Sequence, residues 1–287
     1  MDYNKYTIFL EVAHCNNISK AAKHLGYTQS GISHTLKRME EEFNLPLFYR
    51  NRNGAFLTPA GEELLPLITH LVQSEENLNQ TILSLHDLQK GTLNIGTYIS
   101  ISRNWLPGII QKFKQDYPSI KINFIEGGSK DILQWVRNHE VDLGFLSTDE
   151  YEGLEWIPLA RDPLMAVLPA DYPLSQEDAF PLTEFNGKTF IISAPGTDVD
   201  IHRTLKENQI QPDIQYSAKE DLTIISMVEH HLGISILPRL VLNDHSQKVR
   251  IVPVFPSQSR ELGIVVSPVN LASPVTSAFI EYTKEFF

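Results

Sequence analysis

From its start, the chain places apolar residues at helical intervals in three successive segments. Tyr6, Phe9, Val12 and Ala13 share one face and predict a first amphipathic helix. A short second helix carries Ala21, Ala22 and Leu25 on its apolar side, with Ser19 as the expected N-cap. Gly26 ends it, as a residue free to take positive φ. After Tyr27-Thr28 a third helix begins, in which Ile32, Leu36, Met39 and Phe43 form a buried stripe. On its opposite face Ser30, Ser33, His34 and Lys37 project together, flanked by Gln29 and Arg38. These short polar, amide and cationic side chains can bond base edges and phosphates. The acidic Glu40-Glu41-Glu42 cluster lies at the far end, clear of the phosphates if the helix enters a major groove N-terminus first. Taken alone, such a face reads more simply as solvated surface.

The period then changes. Leu47-Phe48-Tyr49-Arg50, Asn53-Gly54 and Ala55-Phe56-Leu57-Thr58 read as two short strands around a tight turn, with Arg50, Arg52 and Asn53 at or near its tip. Helix, short helix, glycine turn, polar-faced helix and basic hairpin together describe a winged helix-turn-helix, and the basic wing suits phosphate or the minor groove. Thr58-Pro59 opens a further helix as N-cap and first-turn proline. From there to about Leu88 no glycine follows Gly61, and Leu64, Leu71, Leu78 and Leu85 form a seven-residue ladder interleaved by Ile68 and Ile82. This is a coiled-coil seam, on the order of 45 Å long at 1.5 Å per residue. A kink or one lost hydrogen bond is expected at Pro66. So long an apolar edge calls for a partner chain; the alternative is that it packs on its own C-terminal domain.

From Gly91 onward strands alternate with helices. The strands are read at Thr92–Thr97, Lys121–Ile125, Asp142–Leu146, Phe190–Ser193, Ile214–Ser217 and Ser235–Leu237. Helices are read at Trp105–Asp116, Lys130–Asn138, Val199–Asn208 and Asp221–His231, with loops at Tyr98–Asn104 and Ala194–Asp198. The alternation implies parallel sheets, and its two blocks imply two similar lobes with a cleft between them. Ligands in such folds bind beyond the carboxyl ends of strands. Those ends offer Ser100, Ile101 and Ser102; Gly128 and Ser129; Ser147 and Thr148; and Ser193 and Thr197. Helix starts among them favour an anion. Each serine or threonine is about as well explained as a helix cap, so the set carries more weight than its members. Arg103 reads as solvated, His230-His231 as complementing a helix dipole, and Cys15 as a small core residue.

Composition narrows the functional class. The 287 residues are 42% hydrophobic and 21% charged, long enough for two domains. A net charge of −11 argues against a nucleic-acid binder only as an average. Residues 1–60 hold seven Lys/Arg against five Asp/Glu, whereas residues 61–90 hold one against five. The basic segment is the one that carries the DNA-reading pattern. The first residues lack the basic-then-apolar form of a secretory signal, and no stretch approaches a membrane span, so a cytoplasmic protein without membrane association is expected. With one cysteine, no internal disulfide and no cysteine-based metal site can close. The chain contains no G-x-S-x-G, P-loop, G-x-G-x-x-G or H-E-x-x-H motif. Hence no catalytic residue, metal or cofactor is expected. An enzyme with a dispersed site and a solute-binding transport component are the rival classes; the N-terminal segment weighs against both.

The run Ile18-Ser19-Lys20-Ala21-Ala22, Leu25, Thr28-Gln29-Ser30-Gly31-Ile32-Ser33, Leu36, Met39-Glu40, Leu47-Phe48, Arg50 and Leu57-Thr58-Pro59-Ala60-Gly61 closely resembles the LysR-type transcriptional regulators. The resemblance implies a winged helix-turn-helix over 1–58, a dimerising linker helix over 59–89 and a two-lobed α/β domain, similar to periplasmic solute-binding proteins, over 90–287. It places lobe I at about 90–161 and 267–287 and lobe II at about 162–266, with the chain crossing near Arg161 and returning near Ser267. It implies double-stranded DNA as partner, read by Gln29, Ser30, Ser33, His34, Lys37 and Arg38, with Arg50, Arg52 and Thr58 near the backbone. It further implies a small-molecule effector, often anionic in this family, at the loops named above, and a homodimer that pairs into a homotetramer. Ser30 stands where many members have proline and His34 where many have arginine, which bears on operator sequence.

Overall fold

A computed structural model describes residues 4–51, 54–85, 91–147, 151–174, 179–195, 197, 199–242, 248–268 and 272–287. The chain divides into two compact units, Met1–Leu88 with Asn138–Glu140, and Gln89–Arg137 with Val141–Phe287.

The first unit packs α1 (Asn4–Cys15), α2 (Ile18–Leu25) and α3 (Gln29–Phe43) beside a hairpin of β1 (Phe48–Asn51) and β2 (Gly54–Leu57). Ile8, Phe9, Val12, Ala21, Ala22, Ile32, Leu36, Met39 and Leu47 make one buried core, the predicted stripes meeting at its centre. The cap of α2 differs from expectation. Asn17, not Ser19, is the N-cap, its side chain accepting from Lys20 N at 3.0 Å, because the helix already begins at Ile18. Gly26 ends α2 in the left-handed conformation at φ 71°, and Thr28 caps α3 by accepting from Gly31 N at 3.1 Å. The glutamate cluster is not uniform. Glu40 Oε1 accepts from Leu47 N at 2.7 Å and Phe48 N at 3.0 Å, tying the end of α3 to the hairpin. Glu41 only pairs with exposed Lys37 at 3.6 Å. Helix α4 (Pro59–Leu85) runs unbroken through Pro66. Its first turns join the core through Ile68, Leu64 and Leu65. Leu67, Leu78 and Ile82 stay exposed, Leu78 at 60%.

The second unit has two hydrophobic cores. The first gathers β3 (Gly91–Thr97), α5 (Ile99–Asn104), α6 (Leu106–Asp116), β4 (Ile120–Glu126), α7 (Ser129–Arg137) and β5 (Leu143–Leu146). Strands β4, β3 and β5 are parallel, as the alternating pattern predicts. Next comes β6 (Glu155–Pro169), which leaves this core for the second one. The second is built from β7 (Phe180–Pro181), β8 (Thr189–Ser193), α8 (Val199–Glu207), β9 (Asp213–Ala218), α9 (Asp221–Glu229), β10 (Ser235–Pro238) and β11 (Val249–Phe255). β12 (Ser259–Val266) returns the chain, and α10 (Pro274–Lys284) packs Phe279 and Ile280 into the first core.

Three features depart from the sequence reading. Tyr98–Asn104 is not a loop but carries α5, despite serines and isoleucines that are poor helix formers; burial of Ile101 in the first core holds it. The sheets are mixed rather than purely parallel. β6 pairs antiparallel with β12 through Glu155–Pro163, then antiparallel with β10 and β11 through Leu164–Pro169. Finally, the return expected near Ser267 comes earlier, because β12 already pairs with β5 from Gly263 and buries Leu262 and Ile264 in the first core. The outward crossing lies in β6, where Arg161 pairs with β12 and Leu164 already belongs to the second core.

At these crossing strands Arg260 stands directly opposite Asp162. Their side chains are 3% and 6% exposed, with Nε to Oδ2 at 3.0 Å and Nη2 to Oδ2 at 2.9 Å. Asp162 Oδ1 also accepts from Leu240 N at 3.0 Å, in the short turn after β10, and Arg260 Nη2 donates to Ser100 Oγ at 3.2 Å. A buried pair of this kind tolerates loss of one partner poorly.

Two outcomes follow for urea unfolding. Glu40→Ala lowers stability by about 1–3 kcal/mol, since it strands two backbone donors, while Glu41→Ala changes it by no more than about 0.5 kcal/mol. Asp162→Ala lowers the stability of the second unit by about 3–5 kcal/mol through the uncompensated Arg260 charge.

Candidate functional site

Two sites emerge, one in each unit. In the first, burial of Ile32, Leu36 and Met39 fixes the rotation of α3. Gln29, Ser30, His34, Lys37 and Arg38 are consequently exposed along one side, with Ser33 half-buried among them. Ser30 Oγ lies 3.2 Å from the Thr28 hydroxyl and Lys37 is in ion-pair reach of Glu41, both contacts on exposed atoms. Arg50 is exposed on β1, across from Ala55. Arg52 and Asn53 lie outside the described residues. Thr58 serves the fold itself, since its hydroxyl donates to Pro46 O at 2.6 Å and accepts from Gly61 N at 3.1 Å, capping α4.

In the second unit a cavity of about 220 Å³ opens between the two cores. The first lobe contributes Tyr98, Ile99, Ser100, Glu126, Gly127, Gly128 and Asp131; the second contributes Thr197, Lys219, Glu220 and Asp221; Arg260 reaches it from the crossing strand. The carboxyl ends of β3, β4 and β9 thus meet here. Their charge is mixed but mainly acidic, with Glu126 and Asp131 on one wall and Glu220 and Asp221 on the other, beside Lys219 and Arg260. Asp131 is partly engaged as a cap, accepting from Gly128 N at 3.2 Å. The Arg260 guanidinium also lies over the Tyr98 ring at 5.5 Å, which orients it.

Of the predicted effector set, Ser100, Gly128 and Thr197 line this cavity. Ser129 follows directly at the start of α7, buried, with no hydrogen-bond partner for Oγ among the described atoms. The other members turn elsewhere. Ile101 is fully buried in the first core. Ser102 Oγ donates to Ile99 O at 2.9 Å and Glu126 Oε1 at 2.5 Å. Ser147 Oγ donates to Asp200 Oδ1 at 2.9 Å and so joins β5 to α8 across the lobes. Ser193 is buried at the end of β8, and Thr148 lies outside the described residues. Sequence reasoning overlooked Tyr98, Ile99, Glu126, Gly127, Asp131, Lys219, Glu220, Asp221 and Arg260. Lys219–Asp221 follow the end of β9 and were within reach of the rule that selected Ser100. Arg260 sits at the start of β12, a strand the sequence reading did not place.

Residues 86–287 match the LysR substrate binding domain, and residues 3–62 match the bacterial regulatory helix-turn-helix protein of the lysR family. Among relatives, the uncharacterized HTH-type transcriptional regulator YvbU of Bacillus subtilis is 27% identical over 290 residues, covering 100% of this chain and 99% of its own. A full-length OxyR variant from Pseudomonas aeruginosa superimposes with TM-score 0.78 at 21% identity, over 100% of this chain and 94% of that one. Full-length CbnR in complex with its target DNA does so with TM-score 0.72 at 15% identity, over 100% of both chains. Among the described residues no helix is long and apolar enough to cross a membrane. The chain belongs to the LysR family: it is a DNA-binding transcription regulator with an effector-binding domain, not an enzyme.

Proposed function

We propose that the protein reads double-stranded DNA through the outer face of α3 and is switched by a small zwitterion held between the lobes of its second unit. One observation carries the first half. α3 spends its apolar stripe on the core and leaves Gln29, Ser30, His34, Lys37 and Arg38 exposed, with no role in the fold beyond local contacts. Ser33 flanks them, Arg50 extends the basic surface along the hairpin, and Arg52 follows it in the sequence. Thr58 sets the start of α4, so its contribution to DNA is through the position of that helix N-terminus. Amides and hydroxyls in this row suit base edges, and the cations suit phosphates.

The lining of the cleft supports the effector class. A simple anion would meet Glu126, Asp131, Glu220 and Asp221. A molecule carrying both an ammonium and a carboxylate satisfies the whole wall: the ammonium against those acids and the Thr197 oxygen, whose own proton goes to Ala194 O, and the carboxylate toward Lys219 and the hydroxyl of Ser100. Ser100 Oγ already accepts from Arg260, so its proton is suited to a ligand acceptor. Gly128 and Ser129 bring the N-terminus of α7 to the same wall. By bridging the walls, the ligand favours one arrangement of the lobes by its differential affinity for it.

The functional division is a reader at 1–58, a linker at 59–89 and an effector domain from 90, acting in the cytoplasm. Leu67, Leu78 and Ile82 on α4 support a homodimer formed along the linker. Phe124 and Ile125 on β4, and Ile214 and Tyr216 on β9, are exposed apolar positions in the two lobes that suit the pairing of dimers into tetramers. Two-fold symmetry then matches paired half-sites.

Titration against labelled DNA from upstream of the protein's own gene, at several salt concentrations and beside random DNA of equal length, tests the reader. The expected result is strong preference for the upstream fragment, with a steep loss of affinity as salt rises. Lys37→Ala and Arg50→Ala each flatten the log–log salt slope by about 0.9. Binding that ignores both substitutions would remove α3 and the hairpin from the interface.

A further inference from the structure

Glu11 and Cys15 are four residues apart near the end of α1 and therefore share a face. His24, near the end of α2, closes on them from the neighbouring helix. Glu11 Oε1 lies 2.8 Å from His24 Nδ1, Cys15 Sγ lies 3.1 Å from Glu11 Oε1, and Cys15 Sγ lies 3.6 Å from His24 Nδ1. Contrary to the expectation that a single cysteine closes no metal site, we infer that these three side chains form a binding site for a borderline-soft divalent metal ion of the Zn²⁺ kind, which clips α1 to α2 within the DNA reader.

The donor set carries the inference. Thiolate, imidazole and carboxylate are the three ligand types that Zn²⁺ takes, at about 2.0–2.3 Å. With the donor atoms only 2.8–3.6 Å apart, one ion at such bond lengths reaches all three at once, leaving a fourth position for water. The ligands sit on two regular helices whose packing is set by the buried Val12, Ala21 and Ala22, so little ordering is needed on binding. Glu11 and Cys15 are half-buried while His24 is exposed, which gives the ion an entry path. Burial alone would raise the Glu11 carboxyl, but hydrogen bonds from Cys15 and His24 outweigh it and hold the group below its usual value. The Cys15 thiol is raised by burial and by Glu11; an ion displaces its proton to solvent as the sulfur–metal bond forms, and the His24 ring proton moves from Nδ1 to Nε2 so that Nδ1 can ligate. The consequence for the reader is local. α2 leads through Gly26 to the cap of α3, so pinning α2 on α1 stiffens the step into the DNA-facing helix.

Cys15 is the chain's single cysteine, so a thiolate-to-metal signal reports this site and no other. The test titrates the full-length protein, freed of metal by a chelator and kept reduced without added thiols, with cobalt(II) chloride alone. The expected result is a near-ultraviolet thiolate-to-cobalt charge-transfer band that saturates at one ion per chain and is erased by stoichiometric zinc. Cys15→Ser abolishes the band. Glu11→Gln and His24→Gln each weaken cobalt affinity at least tenfold, with helical circular dichroism unchanged. His24 is exposed, so its variant keeps the test valid even if the cysteine variant folds poorly. A wild-type protein without the band would overturn the site and leave the three groups as a hydrogen-bonded cluster. So would a band whose affinity ignores both Glu11→Gln and His24→Gln.

Discussion

The buried pairing of Arg260 with Asp162 is the constraint on which the effector unit depends. Two strands carry the chain between its cores, and these residues face each other across them. Taking a guanidinium and a carboxylate out of water costs several kcal/mol per ion. That cost is offset only because Nε and Nη2 both reach Oδ2, while Leu240 N and Ser100 Oγ complete the set. Slippage of β6 against β12 would leave two charges unpaired at once. The floor of the cleft is thereby fixed, and the same guanidinium forms part of its lining. The fold and the cleft share one group.

A second division of labour runs along the sequence. The acidic surplus lies outside the first sixty residues, which alone are net basic. An attractive local field at α3 and the hairpin survives in a protein of net charge −11 because screening confines charge effects to roughly 8–10 Å. Within the reader, Glu40 turns an apparently repulsive acidic cluster to structural use by holding β1 on the end of α3. The linker divides likewise. Its first turns are spent on the reader's core through Ile68, while Leu78 and Ile82 further along stay exposed.

What was legible followed from local periodicity. The stripe Ile32, Leu36 and Met39, the glycine stop at Gly26 and the hairpin around Gly54 are set by residues within a few positions of one another. The N-cap of α2 escaped because Asn17 and Ser19 are both competent caps, and only the helix start decides between them. β6 escaped because Pro158 and Pro163 argue against a strand. The structure accommodates Pro158 beside a register shift at Leu262/Gly263 and places Pro163 opposite Ser259 at the end of the pairing. The cleft was half legible. Ser100, Gly128 and Thr197 lie at strand ends, where the rule for open α/β sheets points. Ile101 and Ser147 satisfy the same rule but turn into the core and onto Asp200, since a strand end does not say which way a side chain faces. Arg260 was invisible, because its partner is ninety-eight residues away.

The most direct test of the account is calorimetric titration of the purified protein with a panel of amino acids, simple amines, dicarboxylates and neutral sugars. Zwitterions are expected to bind, and Thr197→Val and Lys219→Ala each to weaken the best of them by at least tenfold without altering affinity for DNA in its absence. Binding confined to simple anions or sugars, or a zwitterion whose affinity ignores both substitutions, would contradict it.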